Sequence, residues 1–385
     1  MIEGKKILLC VTSSLSFGES IKLVRELKRQ RAEVKCVIGE VAAELVKPQL
    51  FEWASEEKVL TALSPKAEHI LYAGYKRNFD LMLIAPATSN SISLIANGIQ
   101  EKIIPLIAGT AIGSGMPIIM VPTMELSMYK NKILQGNKKK LEKLGVEFVE
   151  PLIKEGKAKF PALNEIVSIV ERTLGKKQLK GKKILVTAGP TIEEIDDVRI
   201  ITNKSSGKFG VALAEEAFYR GGQVTLLLNN DFLEPISGID VKRFKTYDEL
   251  SKLIVKYGKE KDVVFHAASI SDFTVKKIKG KVSSKKSIEL HLEPREKLLK
   301  KFRSLGRGAA IIGFKAEWGS SLKTPAFNLL KENECDYVIA NDVSKKGSQM
   351  GSDYNEVLIV DKKGKMIKSG RKSKKLLAKR ILDLI

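Results

Sequence analysis

Residues 184–210 read ILVTAGPTIEEIDDVRIITNKSSGKFG, and this stretch decides the fold of the second half of the chain. The apolar run that begins at Ile184 is typical of a buried strand, and it stops at Gly189-Pro190. A polar loop follows and ends in Ser205-Ser206-Gly207, where a helical pattern of apolar residues begins. A strand, a polar loop and a small-residue turn at a helix start are how an α/β fold builds a phosphate-binding site.

Two interpretations of this turn are open on the residues alone. Ser205 and Ser206 offer hydroxyl and N–H donors, and Lys208 offers positive charge. Gly207 and Gly210 let the backbone come close to an anion. The same pattern also describes a plain strand–helix crossover, because neither the P-loop spacing nor the G-x-G-x-x-G fingerprint is present. Phosphate binding is favoured, but without a standard motif.

Length and composition limit the number of domains and the kinds of ligand and site that the chain can have. With 385 residues, 43% of them hydrophobic, the chain is long enough for two domains with ordinary cores. The formal net charge of +22 suits phosphates, nucleotides or nucleic acid, and equally a lysine-rich solvated surface. Three cysteines and three histidines without clustered spacing argue against a disulfide framework and a structural zinc site. Since no signal-peptide or membrane-span pattern occurs, we expect a cytoplasmic protein with no membrane contact.

Strand-like and helix-like segments alternate through both halves, as in doubly wound parallel sheets. In the first half we expect strands at 5–12, 32–38, 80–85 and 117–122. We expect helices there at about 18–30, 41–54, 126–144 and 164–174. In the second half we expect strands at 183–188, 223–228, 262–267, 288–292, 309–314 and 337–340, a hairpin over 355–368 and a helix over 373–385. The sequence therefore predicts two Rossmann-like α/β domains, 1–174 and 183–385, joined by a basic linker at 175–182.

The opening stretch resembles the ligase half of a known family. It carries V-T-A-G-P-T-x-E-x-I-D-x-V-R-x-I-T-N-x-S-S-G-K-x-G nearly without change. This is the motif of the bifunctional coenzyme A biosynthesis flavoproteins, phosphopantothenoylcysteine decarboxylase / phosphopantothenate–cysteine ligase. The resemblance is to archaeal-like members and covers almost the whole chain. It implies a flavodoxin-like, FMN-binding decarboxylase domain over 1–174 and a ligase domain over 183–385.

For the ligase half, the resemblance implies a nucleotide site that uses CTP or ATP, cysteine and 4′-phosphopantothenate. Asn203 would stabilise an acyl-nucleotide, and Lys281, in a K-V-S-S run like the family's K-I-x-S, would stabilise the departing phosphates. Asp272 would hold a ribose, or Mg²⁺ through water, although on its residues alone it can equally cap a helix. The other implied contacts are Ser205, Ser206, Gly207, Lys208, Ala267, Ala268, Phe314, Lys331 and Asn341.

Two hydroxyl-rich loops follow predicted strands of the first half, at residues 12–14 and 85–90. Ligands of open α/β sheets lie beyond the carboxyl ends of the strands, but serine and threonine there can also simply cap helices. The loops C-V-T-S-S-L and I-A-P-A-T-S-N-S-I resemble the T-G-S-I and A-P-A-T-A-N-T-I motifs of FMN-dependent decarboxylases. The implied FMN contacts are Ser13, Ser14, Thr88, Ser89 and Asn90.

His69, in A-E-H-I, stands where this family has its active-site histidine. On the residues alone, a lone histidine is more often structural than catalytic. Two other positions depart from the family. Glu125, in P-T-M-E, replaces the amide or imidazole that holds the substrate carboxylate, and we expect a raised pKa if it faces that carboxylate. The flap segment at 155–161, EGKAKFP, lacks the cysteine of bacterial members.

The basic composition leaves one alternative function, a nucleic-acid-binding protein. Such a protein needs basic residues interleaved with exposed aromatic ones, and aromatic residues make up only 6% of this chain. We therefore expect no nucleic-acid partner. The resemblance further implies a homo-oligomer, trimer-based through the flavoprotein domain and dimeric through the ligase domain.

Overall fold

A computed structural model describes residues 2–283, 287–306, 308–319 and 321–384. Tertiary contacts divide the chain into two compact units, Met1–Gly175 and Lys176–Ile385. Each unit has its own hydrophobic core. Among the described residues, no helix has the length and apolar character needed to cross a membrane.

The first unit alternates strands and helices along the chain. Its strands are β1 (Lys6–Val11), β2 (Glu33–Ile38), β3 (Leu81–Ala87), β4 (Ile118–Pro122), β5 (Met124–Glu125), β6 (Glu147–Phe148), β7 (Leu152–Lys154) and β8 (Lys157–Lys159). Its helices are α1 (Phe17–Arg29), α2 (Glu40–Leu45), α3 (Pro48–Ser55), α4 (Glu68–Ala73), α5 (Ser89–Ala96), α6 (Ile103–Ser114), α7 (Leu126–Lys130), α8 (Lys132–Lys143) and α9 (Leu163–Leu174).

Five strands of the first unit form a parallel sheet in the order β2-β1-β3-β4-β6. Strand β3 is buried along its whole length because two apolar clusters cover the two faces of the sheet. This is the flavodoxin-like order, which confirms the predicted fold. The connections reverse direction at β1, so the carboxyl ends of β1 and β3 form the topological switch point where ligands bind in such folds.

Two long helices expected in the first unit are each split in two. Pro48 is the first residue of α3, and Lys47 before it is extended, because proline disfavours the helical conformation at the preceding residue. Asn131 separates α7 from α8, since its side chain accepts a hydrogen bond from the Ile133 N–H and caps α8.

The second unit again alternates strands and helices. Its strands are β9 (Lys183–Ala188), β10 (Ile192–Glu194), β11 (Ile200–Thr202), β12 (Gln223–Leu228), β13 (Asp240–Arg243), β14 (Val263–His266), β15 (Phe273–Val275), β16 (Leu292–Pro294), β17 (Ala310–Glu317), β18 (Tyr337–Asp342), β19 (Tyr354–Asn355), β20 (Val357–Asp361), β21 (Met366–Lys368) and β22 (Lys372–Ser373). Its helices are α10 (Lys208–Tyr219), α11 (Tyr247–Tyr257), α12 (Leu299–Leu305), α13 (Lys323–Glu332) and α14 (Lys374–Leu382).

The main sheet of the second unit has the order β13-β12-β9-β14-β17-β18-β20-β21. Its first six strands are parallel, and counted from β9 they follow the Rossmann order 3-2-1-4-5-6. The last two are the predicted hairpin, which pairs antiparallel. The switch point therefore lies between the carboxyl ends of β9 and β14.

Within the predicted linker at 175–182, which stays a prediction, the Leu179 N–H donates to the Arg220 carbonyl at 3.0 Å. One segment of the second unit differs from expectation. The prediction of a strand at 288–292 is wrong. Strand β16 begins only at Leu292 and pairs with β15 in a two-stranded sheet that is separate from the main sheet. The alternation of apolar and polar residues at 288–292 therefore does not mark a strand of the main sheet.

Candidate active sites

Hydroxyl groups hold together the loops at the β1–β3 switch point of the first unit. Thr12, buried directly after β1, donates its hydroxyl to the Pro86 carbonyl at 2.8 Å and accepts from the Thr88 N–H at 3.0 Å. Thr88 in turn caps α5 by accepting from the Ser91 N–H at 3.3 Å. Ser89 is the half-buried first residue of that helix. The structure therefore uses Thr88 as a helix cap, whatever else it binds.

A cleft of about 360 Å³ opens at these strand ends. Of the predicted FMN contacts, Ser13 and Asn90 line the cleft, and both are exposed. Ser14 instead packs inward, with its hydroxyl oxygen 3.1 Å from that of Thr123 after β4. Lys102, which precedes α6, also lines the cleft, and no sequence pattern singled it out. The Glu40 carboxylate also lines the cleft and accepts a hydrogen bond from the Ile103 N–H at 3.3 Å. The donors that suit a phosphate are therefore the hydroxyl, amide and ammonium groups of Ser13, Asn90 and Lys102.

His69 lies on the short helix α4, next to a firmly held carboxylate. Glu68 accepts hydrogen bonds from the hydroxyl and the N–H of Ser64, and these bonds lower the pKa of Glu68. The Nδ1 atom of His69 is buried and has no hydrogen-bond partner among the described residues. The imidazole does not line the cleft at the β1–β3 switch point. An unpaired ring nitrogen can bind a polar ligand group, so the role of His69 stays a prediction.

Glu125 caps α7, with its side chain turned back onto its own helix. Its carboxylate accepts hydrogen bonds from the Ser127 hydroxyl and from the Ser127 N–H, the latter at 2.6 Å. These bonds lower the pKa of Glu125. The condition for the expected raised pKa, a side chain that faces the substrate carboxylate, is not met here, because the Glu125 carboxylate is turned to donors that stabilise its ionised form. The main chain of Glu125 pairs with Lys157 of β8, which places it beside the flap.

The flap without a cysteine is an antiparallel hairpin of β7 and β8. Its turn residues Glu155 and Gly156 have φ values of 54° and 68°, as a type I′ turn requires. The cysteines of the chain lie elsewhere as free, buried thiols. Burial raises the pKa of Cys36 and of Cys335 to about 12. These two thiols are therefore poor sources of a reactive thiolate.

In the second unit, three glycines set the close approach of α10 to β9. Gly189 and Gly207 have φ values of +89° and +74°, a region that side chains with a Cβ rarely adopt. A Cβ at Gly210 would lie 2.4 Å from the Cβ of Ala188 at the end of β9. Glycine in these roles lets a helix start pack directly against a strand end, as at the nucleotide-binding switch points of α/β folds.

Polar side chains tie the end of β9 and the loop before α10 to the end of β14. The Thr187 hydroxyl lies 2.9 Å from Nδ1 of His266 and accepts from the Ala268 N–H at 3.1 Å. Burial lowers the pKa of His266 to about 4, so its ring is neutral at pH 7. Asn203 donates its amide to the Ile270 carbonyl at 3.1 Å. The loop that carries Asn203 is thereby held against the loop after β14.

A cleft of about 680 Å³ opens at this second switch point. The predicted contacts that line it come from the turn before α10 and from the ends of β14, β17 and β18: Ser205, Ser206, Gly207, Ala267, Ala268, Phe314 and Asn341. Phe314 meets Phe209 edge to face, with ring centroids 5.5 Å apart, and gives one wall an aromatic surface. The structure thus brings most of the motif-derived residues together at one place.

Besides Asn203 and Lys281, three predicted contacts do not line this cleft. Lys208 forms an ion pair with Asp353 at 2.7 Å, and Asp272 forms one with Lys297. Lys331 is exposed on α13. Across the residues that the structure describes, no group of three or more His, Cys, Asp or Glu side chains is arranged to hold a metal ion. The ligand contacts of these three residues stay predictions.

Lys281 lies on an exposed segment that two carboxylates hold from both sides. Asp196 accepts from the Val282 N–H at 3.1 Å, and Asp197 accepts from the Gly280 N–H at 2.8 Å. Burial opposes ionisation of Asp196, but hydrogen bonds from three backbone N–H groups outweigh it and lower the pKa of Asp196 to about 2. The acidic pair within the opening motif therefore positions the main chain at Lys281.

Lys374, at the start of α14, is the one charged residue among the described residues that line the second cleft. Burial, with a smaller contribution from Lys208, lowers the pKa of Lys374 to about 8, against the opposing effect of Asp353. Sequence reasoning missed Lys374 because it belongs to no recognised motif. The one local signal was the preceding Ser373, which marks a helix start.

Two family models match the chain. The model described as Flavoprotein matches residues 1–175, and the model described as DNA/pantothenate metabolism flavoprotein C-terminal domain matches residues 179–385. The first matched range ends where the first compact unit ends, at Gly175, and the second begins three residues into the second unit.

Similar proteins match over both units. The chain is 41% identical to the coenzyme A biosynthesis bifunctional protein CoaBC of Thermococcus kodakarensis, over 99% of this chain and 95% of that protein. It is 36% identical to the protein of the same name from Methanocaldococcus jannaschii, over 100% and 94% of the two chains. Among solved structures, the C-terminal domain of a CoaBC protein aligns with 54% of this chain and 96% of its own, at 30% identity and a TM-score of 0.46.

Proposed function

Because the chain belongs to the family of coenzyme A biosynthesis bifunctional proteins, we propose that it carries two successive activities, one in each unit. Residues 183–385 ligate cysteine to 4′-phosphopantothenate using a nucleoside triphosphate. Residues 1–174 then decarboxylate the product, 4′-phosphopantothenoylcysteine, to 4′-phosphopantetheine. The observation that carries the proposal is the cleft at the β9–β14 switch point, where separate pieces of the ligase motif meet.

In the ligase unit, the cleft suits a nucleotide. The hydroxyls of Ser205 and Ser206, with the N–H groups at the start of α10, are donors for phosphate oxygens. Phe314 offers an aromatic surface to a base. We propose CTP as the nucleotide, with ATP as the alternative, and Mg²⁺ enters with the phosphates, as it does in most nucleotide enzymes.

The ligation proceeds in two balanced steps. A carboxylate oxygen of 4′-phosphopantothenate attacks the α-phosphorus, and pyrophosphate leaves. The amine of cysteine then attacks the acyl carbon, a nucleoside monophosphate leaves and the amine loses a proton. Lys281, positioned by Asp196 and Asp197, stabilises the charge on the departing pyrophosphate. Asn203 stabilises the acyl intermediate from the loop that faces β14.

In the first unit, the cleft at the β1–β3 switch point is proposed to bind FMN. Its hydroxyl, amide and ammonium donors, from Ser13, Asn90 and Lys102, fit the phosphate of that cofactor. When bound, FMN supplies the two-electron chemistry that makes loss of carbon dioxide easy. His69 accepts a proton at its unpaired Nδ1. Glu125 stays ionised at neutral pH, so other groups bind the carboxylate of the substrate.

One assay tests the proposal. Purified protein is incubated with 4′-phosphopantothenate, cysteine, Mg²⁺ and either CTP or ATP, and the products are identified by mass spectrometry. We expect 4′-phosphopantetheine and carbon dioxide from a yellow protein. A colourless protein that forms no product with either nucleotide would contradict the proposal and favour the nucleic-acid-binding alternative.

Assembly and location follow as secondary proposals. The family resemblance supports a homo-oligomer, trimer-based through the first unit and dimeric through the second, which light scattering after size-exclusion chromatography tests. Three buried free thiols fit a reducing compartment, so we propose the cytoplasm as the location. Fractionation of cells that express a tagged chain tests this.

A further inference from the structure

We propose that Lys374 binds a phosphate group of the ligand in the cleft at the β9–β14 switch point. This inference rests on the proposed ligase function and deepens it, because it names a cationic contact outside the family motif quoted above. Phosphate occurs in both anionic ligands of the reaction, the nucleoside triphosphate and 4′-phosphopantothenate. The experiment below separates these two sources.

The charges at the cleft favour Lys374 over the lysine that the motif contains. Lys208 has its ammonium group bound to the Asp353 carboxylate at 2.7 Å. Burial and the charges of Lys208 and Asp353 act on the side-chain nitrogen of Lys374, and within the part of the chain that the structure describes it has neither a hydrogen-bond acceptor nor an ion-pair partner. The side chain is half-buried and lines the cleft. The nearby Asp353 carboxylate is already paired with Lys208, so the partly desolvated ammonium of Lys374 lacks a counter-charge in contact, and a bound anion would supply one.

The backbone around Lys374 is held in place from two sides. Ser373 caps α14 by accepting from the Leu376 N–H at 3.3 Å. The Lys374 N–H itself donates to the Asp353 carbonyl at 3.0 Å. Ser373 also pairs with Tyr354 in the β19–β22 ladder, and α14 packs against α10. Lys374 is therefore placed on a helix end that is fixed relative to the start of α10, as a preorganised contact requires.

The other described residues at the cleft complement a cation. The start of α10 contributes N–H donors and the positive end of a twelve-residue helix. Ser205, Ser206 and Asn341 contribute neutral polar groups. Lys374 supplies the positive charge that these groups lack.

The test compares Lys374→Met with Lys375→Met by isothermal titration of the full-length protein. Lys375 is the next residue of α14 and is exposed, so its substitution is a matched control. The ligands are CTP, ATP, 4′-phosphopantothenate and pantothenate, which lacks the phosphate. We expect Lys374→Met to weaken binding of a phosphorylated ligand by at least about tenfold, the loss typical of a charge-assisted hydrogen bond. We expect roughly unchanged affinities for Lys375→Met and for pantothenate.

The pattern of losses identifies the phosphate. Weaker binding of CTP or ATP would show that Lys374 contacts the triphosphate of the nucleotide. Weaker binding of 4′-phosphopantothenate, with unchanged binding of pantothenate, would show that it contacts the phosphate of 4′-phosphopantothenate. Lys374→Arg, which keeps the charge, should retain most of the affinity. Circular dichroism reports on the folding of each variant. Equal affinities of wild type and Lys374→Met for every ligand would overturn this inference alone. A wild-type protein that bound none of the ligands would overturn the proposed function together with it.

Discussion

The buried imidazole of His266 makes the stability of the second unit depend on pH. His266 ends β14, where its Nδ1 lies 2.9 Å from the Thr187 hydroxyl and its ring meets Phe302 edge to face, with centroids 5.2 Å apart. Burial lowers its pKa from the ordinary 6.5 to about 4. As pH falls below 6.5 the unfolded chain takes up the proton, whereas the folded protein does so only near pH 4. Stability is therefore lost over this window.

The size of the effect follows from the difference between the two pKa values. At about 1.4 kcal/mol per pKa unit, protonation of His266 in the unfolded chain removes about 3 kcal/mol of unfolding free energy by pH 4. Carboxylates titrate in the same pH range and also make the unfolding free energy depend on pH. Comparison with His266→Gln, which keeps a polar side chain but cannot titrate, cancels their contribution to first order.

Urea-induced unfolding at pH 7, 5.5 and 4 measures this difference. Hydrogen–deuterium exchange of the β9 and β14 peptides assigns the transition to the second unit. Between pH 7 and pH 4, wild type should lose about 3 kcal/mol more than His266→Gln. The exposed His291 provides a control, and His291→Gln should follow wild type. If wild type and His266→Gln lost the same free energy over this range, burial of a neutral imidazole would not be the source of the pH dependence.

Three further predictions concern close packing, a carboxylate and a lysine. Gly210→Ala should destabilise the second unit by about 1–3 kcal/mol in urea unfolding, because the added Cβ would clash with β9. As a control, Gly136→Ala should not destabilise α8, because no atom lies within 4 Å of a Cβ added there. Glu125→Asn should leave the pH–rate profile of decarboxylation unchanged from pH 5 to 8, because Ser127 holds Glu125 ionised; a profile moved in the variant would contradict this. Lys281→Ala should abolish ligation yet keep the yellow colour, and a bleached variant would disprove the separation of sites.

Much of the fold could be predicted because its signals are local. Strands such as β3 and β9 are continuous apolar runs, and these runs are buried on both faces of their sheets. The division of the expected helix at 41–54 could also have been read from Pro48. The order of the strands could not be read from the residues in this way, because it depends on contacts between distant segments. The family resemblance supplied it.

The candidate sites likewise contain some residues that local sequence signals identify and others that only tertiary packing brings together. The turn at residues 205–207 was recognisable because its small residues and helix start are adjacent in sequence. Lys374 was not recognisable from the sequence, because it reaches the cleft through the packing of α14 on α10. The sequence left the orientation of Glu125 open, and the structure turns its carboxylate to Ser127, two positions away.

The central claim is that one chain holds two separate active sites for consecutive reactions, and a complementation assay tests it most directly. Asn203→Ala should form no 4′-phosphopantothenoylcysteine but should still decarboxylate it when it is supplied. His69→Asn should retain flavin and accumulate 4′-phosphopantothenoylcysteine without releasing carbon dioxide. A mixture of the two variants, given 4′-phosphopantothenate, cysteine and nucleotide, should produce 4′-phosphopantetheine. Failure of Asn203→Ala to decarboxylate the supplied intermediate, or of the mixture to restore the product, would contradict the claim.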